Sequence, residues 1–218
     1  DGIVTELWVY VALDAAVKLS VLKVRNASGR ARRLSATGYV EWVLGGSRAA
    51  SAPLILTEID PVTGAMFARN PWNTTYGSRV AFADLAGRQT DWTGDRRDFL
   101  GRHGTLAEPA ALLRPGRLSR HVGAGLDPCG ALQTTFSLEA GQEIEIVSLL
   151  GEAADATQAQ ALLGRYRSAD LDAVFRGVLA HWDQVLGTVQ VKTPDRSLDL
   201  ILNRWLLYQT LACRWWAR

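Results

Sequence analysis

The sequence predicts a mainly β protein with C-terminal helices: an antiparallel β-sandwich followed by a helical linker and a further helix. Runs of alternating apolar and polar residues, typical of strands with one buried face, occupy much of residues 3–85 and 132–150. Turn residues separate these runs at intervals of about 8–12 residues, which favours an antiparallel sandwich over alternating strands and helices. From residue 152 onward the apolar residues recur at helical spacing instead.

Residues that favour turns bound the predicted strands. The segment 54–69 contains two extended runs joined by Asp60-Pro61-Val62-Thr63-Gly64, which predicts a hairpin. Gly45-Gly46 ends the strand before it. The predicted strands cover residues 3–13, 17–25, 33–44, 54–59, 65–69, 79–85, 132–138 and 143–150.

Residues 86–130 follow neither periodicity and are predicted to form a long loop rich in Gly, Arg and Pro. A loop of that length is either functional or disordered. The apolar side chains of Trp92, Phe99 and Leu100 favour ordered packing.

Three helices are predicted after residue 152. The first covers 155–166, the second has Ser168 as its N-cap and ends at Gly187, and the third starts near Asp195. Because the third helix is apolar nearly all round, it must be buried on most faces. We therefore interpret the chain as a fragment with a sandwich at 1–151, a linker at 152–192 and the start of a helical domain at 193–218.

Composition excludes several classes of function. The 24 Lys and Arg are interleaved with 22 Asp and Glu, so a nucleic-acid partner is not expected. Cys129 and Cys213 give neither a metal spacing nor a disulfide framework, which favours a reducing, cytoplasmic location. No run is apolar enough to span a membrane. No catalytic motif or metal-ligand pattern appears, so neither a catalytic residue, a metal nor a cofactor is expected.

The segment 91–102, Asp-Trp-Thr-Gly-Asp-Arg-Arg-Asp-Phe-Leu-Gly-Arg, is the first candidate for binding a sugar. Carboxylates and guanidinium groups hydrogen-bond sugar hydroxyls in pairs, and an aromatic ring can cover the apolar face of the sugar. The candidate substrate-binding residues are Trp92, Asp95, Arg96 and Arg102. The alternative is a structural loop held together by its own Asp–Arg pairs, with the aromatic residues as anchors.

The segment 70–76, Asn-Pro-Trp-Asn-Thr-Thr-Tyr, is the second candidate. Its Asn, Trp and Tyr side chains could contact a saccharide. Equally, Asn70-Pro71 is an ordinary start of a turn, and the rings could belong to the core.

Several motifs resemble those of the inverting glycoside phosphorylases, the family that includes cellobiose phosphorylase. The resemblance is closest to the phosphorylase-like C-terminal region of cyclic β-1,2-glucan synthases, or to the related 1,2-β-oligoglucan phosphorylases, and it covers essentially the whole chain. The motifs are GYVEWVLG at 38–45, ARNPW at 68–72, WTGDR at 92–96, FLGR at 99–102, GAGLDPC at 123–129 and NRWLLYQ at 203–209.

The resemblance implies a β-super-sandwich, a helical linker and an (α/α)6 barrel that holds the active site. Residues 193–218 would then be the start of that barrel, and the catalytic acid and the phosphate site would lie outside this chain. The implied partners are a β-glucan oligosaccharide and phosphate, both bound by the missing catalytic domain. The family also implies a homodimeric parent, which other regions could attach to the inner membrane.

The expected function is that of a non-catalytic, carbohydrate-associated domain that supports dimerisation and the edge of the active site. A free-standing carbohydrate-binding module is the alternative, and a scaffold or dimerisation domain without sugar contact is a third possibility. The apolar third helix favours the first over the second, because an independent module would not end with its core half built.

Overall fold

The computed structural model describes residues 2–113 and 116–216, with side chains to residue 214. It contains two compact units, Asp1–Ala169 and Asp170–Arg218. The first unit is mainly β and the second is helical, which confirms the predicted fold class. The strands are β1 (Ile3–Val11), β2 (Val17–Asn26), β3 (Arg32–Glu41), β4 (Leu56–Ile59), β5 (Met66–Arg69), β6 (Val80–Asp84), β7 (Asp91–Asp95), β8 (Pro128–Leu138) and β9 (Glu143–Ala153).

The strands of the first unit form two antiparallel sheets. A large sheet has the order β1-β2-β9-β6-β5-β4, and a small sheet has the order β3-β8-β7. Turns at 12–16 and 139–142 connect β1 to β2 and β8 to β9. The α-helices of this unit are α1 (Arg48–Ser51), α2 (Arg96–Leu100), α3 (Ala110–Leu113) and α4 (Ala156–Arg167), and a 3-10 turn covers Ala52–Leu54.

The two sheets pack face to face. One core cluster contains Met66 and Ala83 of the large sheet together with Leu132 of the small sheet, each at most 7% exposed. A second joins Val24 to Leu138 across the same gap. Burying a side chain of the size of Met66 or Leu132 contributes about 1.5–3 kcal/mol, so the packing between the sheets stabilises this unit.

The small sheet leaves part of the large sheet uncovered. Within the described residues it has three strands against six, and β1 is last in the large sheet. Three apolar residues of β1 point to the side of the large sheet that faces the small sheet: Leu7, Val9 and Val11. Their partners in the register with β2 border the gap between the sheets. Leu7, Val9 and Val11 are nevertheless 53–58% exposed.

The predicted loop at 86–130 is more regular than its sequence indicates. It contains β7, α2 and α3, and β7 pairs with β8 in the centre of the small sheet. Its alternation is hidden because Asp91 and Thr93 are polar and yet buried. The Asp91 carboxylate accepts hydrogen bonds from the Leu118 amide at 2.5 Å and from Arg120 Nε at 2.8 Å. These hydrogen bonds compensate the cost of burying the Asp91 carboxylate. A polar residue at a buried position is the reason that the sequence pattern did not predict this strand.

Helix α4 is attached to the sheets by an ion pair whose carboxylate is fully buried. Asp155 caps its N-terminus by accepting a hydrogen bond from the Gln158 amide at 2.8 Å. At its other end Arg167 donates from Nε and Nη2 to the two carboxylate oxygens of Asp84, at 2.9 and 2.8 Å. Asp84 is fully buried, and Arg167 Nη2 also donates to the Thr63 carbonyl.

The second unit begins with α5 (Leu171–Leu186), whose N-cap differs from the prediction. Asp170 accepts a hydrogen bond from the Ala173 amide at 2.9 Å, whereas the predicted cap, Ser168, donates back to the Gly164 carbonyl at the end of α4. The Asp170 side chain lies directly before the first helical turn, where it can reach the unsatisfied amides.

The third predicted helix is divided. It runs through α6 (Arg196–Leu200), a π-helical turn (Ile201–Trp205) and α7 (Leu206–Trp216), and its last two residues lie outside the described part. Several of its apolar side chains are 43–66% exposed within the chain: Leu198, Leu200, Ile201, Trp205, Leu206 and Tyr208. No described helix is both long enough and apolar enough to cross a bilayer.

Candidate functional site

The 91–102 segment consists of β7, α2 and a turn. The Asp95 carboxylate accepts a hydrogen bond from the Arg97 amide at 2.8 Å, and so caps α2. Gly101 ends the helix with a φ of 86°, a left-handed value that glycine adopts without steric cost. Phe99 and Leu100 pack on Ala131 of β8 and anchor α2 to the outer face of the small sheet.

Arg96 lies in a charge cluster that the sequence did not predict. Its Nε donates to Glu41 Oε1 at 2.8 Å, and its Nη1 lies 3.5 Å from Asp127 Oδ2. Arg48 contacts the same two carboxylates, and the Tyr39 hydroxyl donates to Glu41 at 2.8 Å. The cluster of Glu41, Arg48, Arg96 and Asp127 therefore carries no net charge. Its side chains are 21–35% exposed, so solvent or a ligand can reach them.

The surroundings of Glu41 favour its ionised form. Burial acts to raise the pKa of the Glu41 carboxyl, but hydrogen bonds from Tyr39 and Arg96 and the charge of Arg48 outweigh it, so the pKa lies below its ordinary value. A lowered carboxyl pKa contributes stability that is present at neutral pH and is lost as the pH falls through that value. Burial and the hydrogen bond to Glu41 raise the pKa of the Tyr39 hydroxyl.

The structure separates Trp92 from this cluster. Trp92 lies opposite Leu132 in the register of β7 and β8, so its ring faces the gap between the sheets and packs against the core. The Arg120 guanidinium lies over the ring, 4.7 Å from its centroid. Neighbouring residues of a strand face opposite sides, so Trp92 and the outer face that carries α2 belong to different surfaces.

Arg102 follows α2 in an exposed turn and makes no hydrogen bond or ion pair with the described residues. Within α2, Asp98 instead contacts His121, with Asp98 Oδ2 and His121 Nδ1 2.7 Å apart. Of the four predicted sugar-binding residues, Asp95 and Arg96 are thus adjacent at the start of α2, Arg102 follows its end, and Trp92 lies across the sheet. Whether they bind a sugar stays a prediction.

Cys129 lies beside the charge cluster but has no nucleophilic character. Burial, with the nearby charges of Asp95 and Asp127, raises its pKa to about 12, so the thiol is neutral at physiological pH. Its Sγ donates to the Thr93 carbonyl at 3.7 Å, which ties β8 to β7. Within the described residues, no group of acidic, His or Cys side chains is arranged to hold a metal ion.

A second candidate site is a cavity of about 710 Å³ beside the 70–76 segment. One wall is the 44–46 turn after β3, the other is the connection between β5 and β6, and Arg79 and Glu152 contribute charged groups. Trp72 and Tyr76 are 74% and 61% exposed, so neither ring belongs to the core. The sequence indicated the aromatic turn, but not the cavity wall that residues distant in sequence provide.

The comparisons with known proteins agree with this architecture. The family described as glycosyl hydrolase 94, supersandwich domain, matches residues 1–169, and the glycosyl hydrolase 94 superfamily catalytic domain matches residues 181–218. The chain thus combines a supersandwich domain with the beginning of a catalytic domain of a carbohydrate-active enzyme. It belongs to the glycosyl hydrolase 94 family.

Individual relatives are much longer than this chain. It is 38% identical over 201 residues to cyclic beta-(1,2)-glucan synthase NdvB of Rhizobium meliloti, which covers 92% of this chain and 7% of that protein. It is 26% identical to N,N'-diacetylchitobiose phosphorylase of Vibrio furnissii over 100% of this chain and 28% of that protein. Solabiose phosphorylase of Paenibacillus borealis is 27% identical over 97% of this chain and 28% of its own length. The chain therefore spans less than a third of each of these relatives.

Proposed function

We propose that this chain is the non-catalytic, carbohydrate-associated part of a phosphate-dependent enzyme that acts on β-glucans, and that α2 borders the active site of the adjoining catalytic domain. The match to a supersandwich domain and then to a catalytic domain supports a parent with both parts. The name of the Rhizobium relative supports a β-1,2-linked glucan as the substrate. Homodimerisation of the parent is part of the same proposal.

The charge cluster carries the proposal. Arg48 and Arg96 are both held by the same two carboxylates, so the guanidinium groups have fixed directions before any ligand arrives. Fixed donors and acceptors orient hydroxyl groups at a smaller entropic cost than mobile ones. Because the paired charges cancel, the cluster suits the neutral hydroxyls of a sugar better than a phosphate ion.

The test is the substitution Arg96→Ala in the full-length enzyme, with Asp95→Asn as a second variant. We expect Arg96→Ala to lower kcat/KM for β-1,2-glucan about tenfold or more, because a substrate that loses its orienting contact is misplaced at the reacting bond. Release of glucose 1-phosphate from glucan and phosphate measures turnover. Asp95→Asn keeps an oxygen for capping α2 and reports on the charge alone.

Arg69→Ala is the matched control. Arg69 forms an ion pair with Glu58 at 2.7 Å on the large sheet, and both side chains are at least 40% exposed. Its loss should change neither turnover nor stability by more than a surface ion pair contributes, about 0–1 kcal/mol. If Arg96→Ala and Asp95→Asn both leave folding and turnover unchanged, the proposed role of α2 is wrong.

The alternative of a free-standing carbohydrate-binding module is less well supported. The catalytic-domain match over residues 181–218 favours a chain that belongs to a larger enzyme. A second observation agrees with this: the described residues leave several apolar side chains of α6, the π-helical turn and α7 exposed. An exposed apolar surface of this kind is typical of a contact with another domain or protein.

A further inference from the structure

The cavity beside the 70–76 segment has the features of a ligand site, and it is independent of α2. Its volume of about 710 Å³ falls within the range of small-molecule sites, which is about 300–1,000 Å³. A concave surface lined by a few polar groups with an aromatic ring at its side is the usual form of such a site.

The cavity walls are held together by one buried amide. Asn70 is 7% exposed; its Nδ2 donates to the Leu44 carbonyl at 2.9 Å, and its Oδ1 accepts from the Trp72 amide at 3.2 Å. The same side chain thus fixes the 44–46 turn on one wall and the aromatic turn on the other. Leu44 has a φ of 29°, a value that is costly for a residue with a Cβ. Such strain concentrates at sites where function requires it.

The polar groups of the cavity suit a neutral ligand. Arg79 donates from Nε and Nη2 to the two oxygens of Glu152, at 2.7 and 2.6 Å. This planar pair has no net charge, yet Arg79 Nη1 and the remaining lone pairs of Glu152 stay available. Asn73 Oδ1 accepts from the Thr75 and Tyr76 amides, which leaves its Nδ2 without a partner among the described residues.

The aromatic residues provide an apolar surface next to these groups. Tyr76 lines the cavity, and Trp72 lies between the lining residues Asn70 and Asn73. Both rings are more than 60% exposed, although they belong to a turn whose backbone is fixed by Asx hydrogen bonds. A large, exposed ring beside a cavity that carries a few polar groups is suited to stacking on the CH face of a pyranose.

We propose that this cavity is a second saccharide site, which binds a neutral pyranose unit of a gluco-oligosaccharide through Arg79, Glu152 and Asn73, with Tyr76 against the sugar ring. Trp72 extends the apolar surface towards the next unit of the chain. The site would hold glucan on the sandwich domain, separately from the active-site edge proposed for α2.

Calorimetric titration of the full 218-residue chain with β-1,2-linked gluco-oligosaccharides tests the proposal. We expect a dissociation constant of about 1 mM or lower for the unaltered chain. Tyr76→Ala should weaken binding at least about fivefold, since the loss of one stacked ring corresponds to about 1 kcal/mol or more. Because the Tyr76 side chain is exposed, the variant should keep the thermal unfolding temperature of the unaltered chain, and Arg79→Ala adds a second, polar variant.

Arg69→Ala, which removes an exposed ion pair of the same kind outside the cavity, should bind as the unaltered chain does. Inorganic phosphate should not compete, because the cavity carries no excess positive charge. The proposal is overturned if the chain shows no binding at about 10 mM oligosaccharide, or if phosphate competes with the sugar. It is equally overturned if Arg96→Ala abolishes binding while Tyr76→Ala and Arg79→Ala do not, a result that would assign the sugar to α2 instead.

Discussion

Replacing Arg167 by alanine should destabilise the sandwich unit by about 3–5 kcal/mol, one of the two largest effects that we expect of a single substitution in this chain. Asp84 is fully buried, and Arg167 supplies its only side-chain cation in the described structure, through two hydrogen bonds. Without the guanidinium, the remaining partners are the Gly87 amide and the Gln89 side chain. They cannot offset the cost of a buried charge. Urea denaturation followed by circular dichroism measures the loss.

Two further variants distinguish the effect of losing the Asp84–Arg167 ion pair from a general effect of removing an arginine. Arg165→Ala removes the neighbouring guanidinium, which contacts Asp14 where both side chains are more than half exposed, so the loss should stay below about 1 kcal/mol. The double variant Asp84→Leu with Arg167→Met removes both charges and should be more stable than Arg167→Ala alone. Equal losses for Arg165→Ala and Arg167→Ala would contradict this account.

Replacing Phe82 by alanine should cost about 3–5 kcal/mol through the cavity that it leaves. Phe82 is fully buried on β6, opposite Phe67 on β5 and Gly151 on β9. A Cβ at position 151 would lie 2.5 Å from Phe82 Cζ, so the ring occupies the space that the glycine leaves open. Because the ring fits between two paired strands, its neighbours cannot move far into the gap.

Phe136→Ala is the comparison for Phe82. Phe136 is half-buried at the margin of the cluster that contains Leu138, and its loss should cost clearly less. Thermal or urea unfolding of the three proteins side by side gives the difference. A loss for Phe82→Ala no larger than that for Phe136→Ala would show that the β5–β6–β9 region relaxes to fill the space.

The sequence predicted those strands that bury apolar side chains on one face. In β2 the residues Val17, Leu19 and Val21 are buried, and this alternation is visible in the sequence. β7 was missed because Asp91 and Thr93 occupy its buried positions and take their partners from residues 27 and 26 positions later. Hydrogen-bond partners at such distances cannot be inferred from local periodicity.

The candidate site was predictable in composition but not in arrangement. The 91–102 segment was expected to act as one loop, whereas β7 directs Trp92 to the inner face. The strand becomes irregular between Thr93 and Asp95, and Arg96 then begins α2 on the outer face. Glu41 contacts Arg96 across 55 positions of sequence, and nothing local in the strand indicates that pairing. The cavity was likewise out of reach, since it joins the 44–46 turn to the side chain of Glu152.

Strand β1 has a practical consequence for handling this chain in solution. A terminal strand with Leu7, Val9 and Val11 exposed is a template for intermolecular β-pairing, and natural edge strands usually avoid this with charged residues or proline. Concentrated samples of the chain should therefore self-associate through this edge. The substitution Val9→Lys would place a charged gatekeeper residue at this edge and should reduce the self-association.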